Sequence, residues 1–343
     1  MKQNFSIAGP FGDLQGVVHK CEIPEKRRNV LVMAHGFRGS MEGGGRAAQL
    51  AEEISETVCT VVRFNFTWCT MLSNQVVELK AVLDFVRKTL QPEKLFLLGR
   101  SFGGATCIIT ACGNEDAERI SESKSSSAAV DEIHNVTVND ATGCVGGEMF
   151  SSTAWYMRNT YRPDGMVLWS APNSLKKTFI QVLGEEKFLR AMEGEPILLA
   201  DERGRDEIPA AFVKDLLQYD LASLLQRWQK GPLLIIHGEK DCIVTPEQAK
   251  QNFEIAGGEK ELHYMEGDDH HLALRCKEAG ELVKQWLEKN SRSDVSYNKN
   301  FSDTKQTRND VTIKDSESKT YIWKGLLRKC YQIKNLFRRR IYS

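Results

Sequence analysis

The chain lacks any stretch of about 18 consecutive apolar residues, so no helix of it is expected to span a membrane. It also lacks net charge, because 46 Lys and Arg stand against 46 Asp and Glu in 343 residues. A balanced protein carries no global field toward nucleic acid or an acidic substrate, and no nucleic-acid partner is expected. Nine cysteines are present without metal-ligand spacing. Cys107 and Cys112 share an expected helix, but at five residues apart they do not share a face. The odd number in a large chain reads as reduced thiols in a cytoplasm. The opening MKQNFSIAGPFGD holds no apolar run of signal-peptide length, which fits the same location. No internal repeat is visible.

What is there is a strong alternation. At 41% hydrophobic and 27% charged residues, the chain can build one large α/β domain or two small ones. Residues 4–21 read as two short strands around the turn GPFGD. NVLVMAHG (29–36), CTVVRFNF (59–66), KLFLLG (94–99), GMVLWSAP (165–172), PLLIIHG (232–238) and ELHYMEG (261–267) are short β-rich runs, suited to strands covered on both faces. Between them lie helical patterns, the clearest being NQVVELKAVLDFVRKTL (74–90). Strands alternating with helices predict a mainly parallel sheet with helices on both faces.

Two segments break that rhythm. Residues 114–163 are rich in Ser, Asn, Asp and Gly and read as a flexible insertion, with a lid as the sharper alternative. Residues 173–230 hold amphipathic pieces that predict a small helical cap. The main domain then covers 1–290, followed by a disordered linker at 291–320 and a basic amphipathic helix at 321–343. The last 53 residues concentrate charge, with 13 basic against 5 acidic side chains. That helix is expected to meet an anionic membrane surface, which would make the protein peripheral at the inner membrane face, or to dock on a protein.

The chemistry centres on EKLFLLGRSFGGATCII (93–109). Gly99-Arg100-Ser101-Phe102-Gly103 fits G-x-S-x-G between a strand and a helix. There a serine occupies a strained turn and presents its hydroxyl at the sheet edge, while small neighbours let strand and helix approach. The plainer alternative is a serine that caps the helix. A nucleophilic serine needs a base. Of the seven histidines, His270 and His271 come directly after the last strand, at the carboxyl edge where α/β sites lie. Asp241, just past the strand 232–238, is placed to orient the imidazole, or else is a turn residue. An oxyanion hole would use the backbone N–H groups of Phe102 and of Phe37 in AHGFRGS. His35 reads as structural. No functional role is read for Arg100 beyond an ion pair.

In order and spacing, VMAHGFRGS, LLGRSFGGA, GMVLWSAP, LLIIHGEKDCIVTPEQA and YMEGDDHHL resemble the α/β-hydrolase superfamily, in particular its bacterial esterase and serine-aminopeptidase-like branch. The resemblance covers about residues 4–289 without 114–163. It implies Ser101 as nucleophile, Asp241 as acid and His270, in Gly267-Asp268-Asp269-His270, as base, with His271 the competitor. FNFTWCTMLSN departs from the branch's usual Gly-rich loop, which leaves the acyl pocket open. The function this implies is a serine hydrolase of the carboxylesterase type acting on a small-molecule acyl ester without metal or organic cofactor. A peptidase or amidase on the same parts, or a non-catalytic scaffold, is the alternative.

Overall fold

The computed structural model describes residues 1–68, 70–113, 161–201, 204–229 and 231–292. Most of the expected insertion, the linker beyond 292 and the basic helix at 321–343 lie outside the described residues.

One sheet contains eight strands: β1 (Lys2–Gly9), β2 (Gly12–His19), β3 (Asn29–Ala34), β4 (Thr60–Phe64), β5 (Lys94–Arg100), β6 (Gly165–Trp169), β9 (Leu233–Gly238) and β10 (Lys260–Met265). Their order across it is β1-β2-β4-β3-β5-β6-β9-β10. The expected two-strand start is the hairpin β1–β2, antiparallel within itself and to β4. Every pair from β4 to β10 is parallel. The predicted mainly parallel α/β sheet is what the structure contains.

The strands are apolar without interruption because they are covered on both sides. Successive side chains point to opposite faces. In β3, Val30, Val32 and Ala34 pack with α2 (Leu72–Leu90) and α3 (Phe102–Cys112), while Leu31 and Met33 join the residues of α1 (Arg46–Thr57) and α9 (Cys276–Asn290). The same division runs through β5: Leu95 and Leu97 face one way, Phe96 and Leu98 the other. Arg100 is two residues beyond Leu98 and so continues toward the α1–α9 side.

The cap is more than helical. It holds α4 (Leu175–Leu183), α5 (Glu185–Met192), α6 (Ala211–Leu216) and α7 (Leu221–Leu225), but also a hairpin of β7 (Ile197–Asp201) and β8 (Gly204–Ile208). Gly184, at φ 83°, divides α4 from α5 inside what reads as one amphipathic stretch. Ile197 and Ile208 anchor the hairpin in the core, while its other residues are mostly exposed. Too few apolar residues alternate there for a strand pattern to show. α8 (Pro246–Ile255) completes the order before β10.

Candidate active site

β5 occupies the middle of the sheet, between β3 and β6, so the turn at its end, which carries Ser101, lies at the centre of the carboxyl edge. Ser101 sits at φ 52° and ψ −119°, a conformation costing on the order of 1–3 kcal/mol for a residue with a side chain. Local packing enforces it. A Cβ on Gly99 would come within 2.5 Å of the Gly104 Cα, and one on Gly103 within 2.4 Å of the Ala34 carbonyl. The Ser101 N–H donates to the Trp169 carbonyl at 2.8 Å, and its own carbonyl accepts from the Gly104 N–H at 2.8 Å. The glycines of the motif thus exist to let β5, α3 and β3 touch.

Ser101, His270 and Asp241 meet there. The Ser101 Oγ lies 2.9 Å from His270 Nε2, and His270 Nδ1 lies 2.7 Å from Asp241 Oδ2. With the proton on Nδ1, the ring donates to the carboxylate and accepts from the hydroxyl. Asp241 is buried, and its other oxygen accepts from the N–H groups of Ile243 and Val244, both at 2.9 Å. Burial pushes its pKa up. The bonds from His237 and His270 more than offset that and bring it down to about 2. It is therefore a carboxylate throughout the neutral range.

His270 is carried by a tight turn after β10. The buried Asp268 carboxylate accepts from the N–H groups of Asp269, Leu274 and Arg275. His271, on the same turn, points elsewhere: its Nδ1 accepts from Arg100 at 3.2 Å. Arg100 therefore has a histidine partner in place of the expected ion pair. His35 pins the loop after β3 to the loop after β4. Its Nδ1 donates to the Gly36 carbonyl at 2.9 Å, and its Nε2 accepts from the Phe66 N–H at 3.0 Å.

The N–H groups of Phe37 and Phe102 donate to no other group among the described residues. Sequence patterns do not reveal how these two residues are held. The rings of Phe37, Phe102, Phe179 in α4 and Phe212 in α6 are all in mutual contact, with centroids 5.2–5.9 Å apart. The next residue, Arg38, donates to Asp201 at 2.7 Å and to Asp206 at 2.5 Å, one on each strand of the cap hairpin. Trp68, in the loop that departs from the usual pattern, donates to Asp206 as well, at 2.9 Å. Nothing local announces such partners from distant segments. His237 is a further participant that the motifs do not single out. Its Nε2 is 2.7 Å from the Val244 carbonyl and 3.1 Å from Asp241 Oδ2, so one N–H serves both acceptors. Its i, i+4 spacing to Asp241 is the one signal the sequence offers.

Among the described residues no cluster of His, Cys, Asp and Glu is arranged to hold a metal ion, and no helix is long and apolar enough to cross a membrane. No curated protein sequence matches the chain. Solved structures do, at low identity. Est1E from Butyrivibrio proteoclasticus aligns with a TM-score of 0.61 at 16% identity, covering 84% of this chain and 98% of its own. The esterase domain of a Rhodothermus marinus protein gives 0.53 at 15%, covering 84% and 98%. The Pyrococcus furiosus esterase Pf2001 gives 0.53 at 14%, covering 84% and 92%. These likenesses show the α/β-hydrolase fold. A family profile described as "Serine aminopeptidase, S33" matches residues 25–274, well over half of the chain, and the chain accordingly belongs to that family of α/β hydrolases.

Proposed function

We propose that this hydrolase is a serine carboxylesterase in which Ser101 is the nucleophile, His270 the base and Asp241 the orienting acid. The observation that carries the reading is the continuous bond chain from Ser101 Oγ through His270 to Asp241. His270 takes the Ser101 proton as Oγ attacks the acyl carbon. Asp241 fixes the tautomer and stabilises the imidazolium. The tetrahedral oxyanion accepts from the N–H groups of Phe37 and Phe102, each worth roughly 3–4 kcal/mol of barrier by analogy with single-donor losses elsewhere. His270 then protonates the departing alcohol, and water reverses the sequence on the acyl-enzyme. That two of the structural neighbours are named esterases favours an ester. The family description, an aminopeptidase, favours an amide, which the same parts would cleave.

The test is fluorophosphonate labelling and turnover of p-nitrophenyl butyrate beside an aminoacyl p-nitroanilide. Ser101→Ala should remove the label. His270→Ala should lower kcat by roughly 10⁴-fold or more, and His271→Ala far less. An unlabelled wild type would remove the nucleophile from the account, and a dead His271→Ala beside an active His270→Ala would reassign the base. Faster anilide than ester cleavage would make the enzyme a peptidase.

A further inference from the structure

A cavity open to solvent lies on the α1–α9 side of the carboxyl edge. Gly36, Ser40, Arg46, Arg100, Trp169 and His271 are among its lining residues. It adjoins the reaction centre: a Cβ on Gly36 would be 3.2 Å from the Ser101 Cβ, and His271 is the residue after the base.

Its two arginines are not paired with a carboxylate among the described residues. Among the described residues Arg100 bonds His271 Nδ1 at 3.2 Å, and Arg46 the His271 carbonyl at 3.3 Å. No carboxylate among the described residues bonds either guanidinium. Asp241 and Asp269 act on Arg100 only through space, and both are engaged elsewhere, Asp241 with the histidines and Asp269 with the His271 N–H at 2.8 Å. The indole N–H of buried Trp169 has no partner among the described residues either. Burial first, and the Arg46 charge next, push the Arg100 pKa below its ordinary value. His271 is also held low, by burial first and then by Arg100. Desolvated charge of one sign is unfavourable unless it is compensated. The first turn of α1 adds to this: it lines the cavity, opens on Gly45 without a side-chain cap and contains no acidic residue.

We propose that this cavity binds an oxyanion group, a carboxylate or a phosphate, between Arg100 and Arg46 beside the reaction centre. Two planar guanidiniums suit the several acceptor atoms of such a group. The anion comes either from the substrate itself or from a separate small molecule. Only the substrate source rests on the proposed esterase reading.

The site is tested without turnover. Inorganic phosphate is titrated calorimetrically into the full-length Ser101→Ala protein at constant ionic strength. Saturable binding is expected, weakened at least tenfold by Arg100→Gln and several-fold by Arg46→Gln. Arg46 is on the surface turn of α1, so that second variant remains informative if Arg100→Gln does not fold. Absence of saturable binding, or binding unchanged in both folded variants, overturns the proposal. The source is then read from p-nitrophenyl hemisuccinate and neutral p-nitrophenyl butyrate with the otherwise native enzyme. A tenfold rise of KM in Arg100→Gln for the hemisuccinate alone, with phosphate competing against that ester only, supports the substrate's own anion. Equal effects of phosphate on both esters support a separate anion. Binding without any hydrolysis leaves the site standing and the esterase reading fallen.

Discussion

Ser101 has two unlike flanks, and each contains an arginine. Toward the cap, Arg38 is buried to 1% side-chain exposure, with Asp201 and Asp206 on its guanidinium, and the residue before it, Phe37, joins a cluster of four phenylalanine rings. Toward α1 and α9, Arg100 looks into an open cavity with a neutral histidine nitrogen as its bonded partner. The electrostatic consequence has opposite signs. Burial alone would lower both arginines, but two carboxylates more than offset it at Arg38 and hold that group above its ordinary pKa, whereas Arg100 stays below. The cap flank is therefore a finished structural joint that fixes the loop carrying the Phe37 N–H. The other flank keeps its charge uncompensated, as expected of a surface meant to receive something.

The comparison is broken most severely at the phenylalanines. Phe179 and Phe212 are essentially buried, and each touches both Phe37 and Phe102. Truncating either to alanine should cost about 3–5 kcal/mol in urea unfolding, as for other buried aromatics. It should also lower kcat more than it raises KM, since the N–H groups of Phe37 and Phe102, as the proposed oxyanion donors, would act mainly on the transition state. A loss below about 1 kcal/mol would mean that the cap does not hold the oxyanion loop.

Arg38 comes next. Arg38→Met keeps the stem and removes the charge, leaving Asp201 and Asp206 beside an apolar group. Full removal of one partner from a buried pair costs about 3–5 kcal/mol. Asp201 is 36% exposed and water can relieve it, so about 2 kcal/mol is the better figure here. Chemical denaturation measures it. Neutral behaviour would show that the hairpin is held without the Arg38 pairs.

How legible each of these features is depends on its range in sequence. The sheet, the elbow and the turn bearing His270 are written in short local patterns: apolar runs, glycines on either side of Ser101, a Gly-Asp-Asp-His turn. The physics that fixes each acts within a few residues, so each is visible in the string. The partners of Phe37 and Arg38 lie in α4, α6 and the β7–β8 hairpin, more than 140 positions away. They are ordinary phenylalanines and aspartates that acquire meaning only once the cap folds back. The hairpin itself is hidden because only Ile197 and Ile208 are fully buried in it. Arg100 is visible but misleading, because an arginine in a sequence suggests a carboxylate somewhere, and that none among the described residues bonds it is a fact about space.

The smallest effect is the one that separates the flanks by sign. Arg100→Met replaces a charged head by an apolar one of similar length beside Leu98 and Trp169, which already line the cavity. Nothing is left unpaired except His271 Nδ1, which can turn to solvent because His271 is exposed. The desolvation of the guanidinium and its repulsion by Arg46 are both removed. Isosteric apolar replacements of buried charge are often neutral or stabilising, and with partial exposure the gain should be up to about 1 kcal/mol. The same substitution at Arg38 destabilises. If Arg100→Met instead costs as much as Arg38→Met, then Arg100 is a structural residue like its counterpart, and the two flanks differ only in how much water reaches them. If it stabilises while phosphate binding is lost, the chain keeps Arg100 at a cost in stability, which is the pattern of a binding residue.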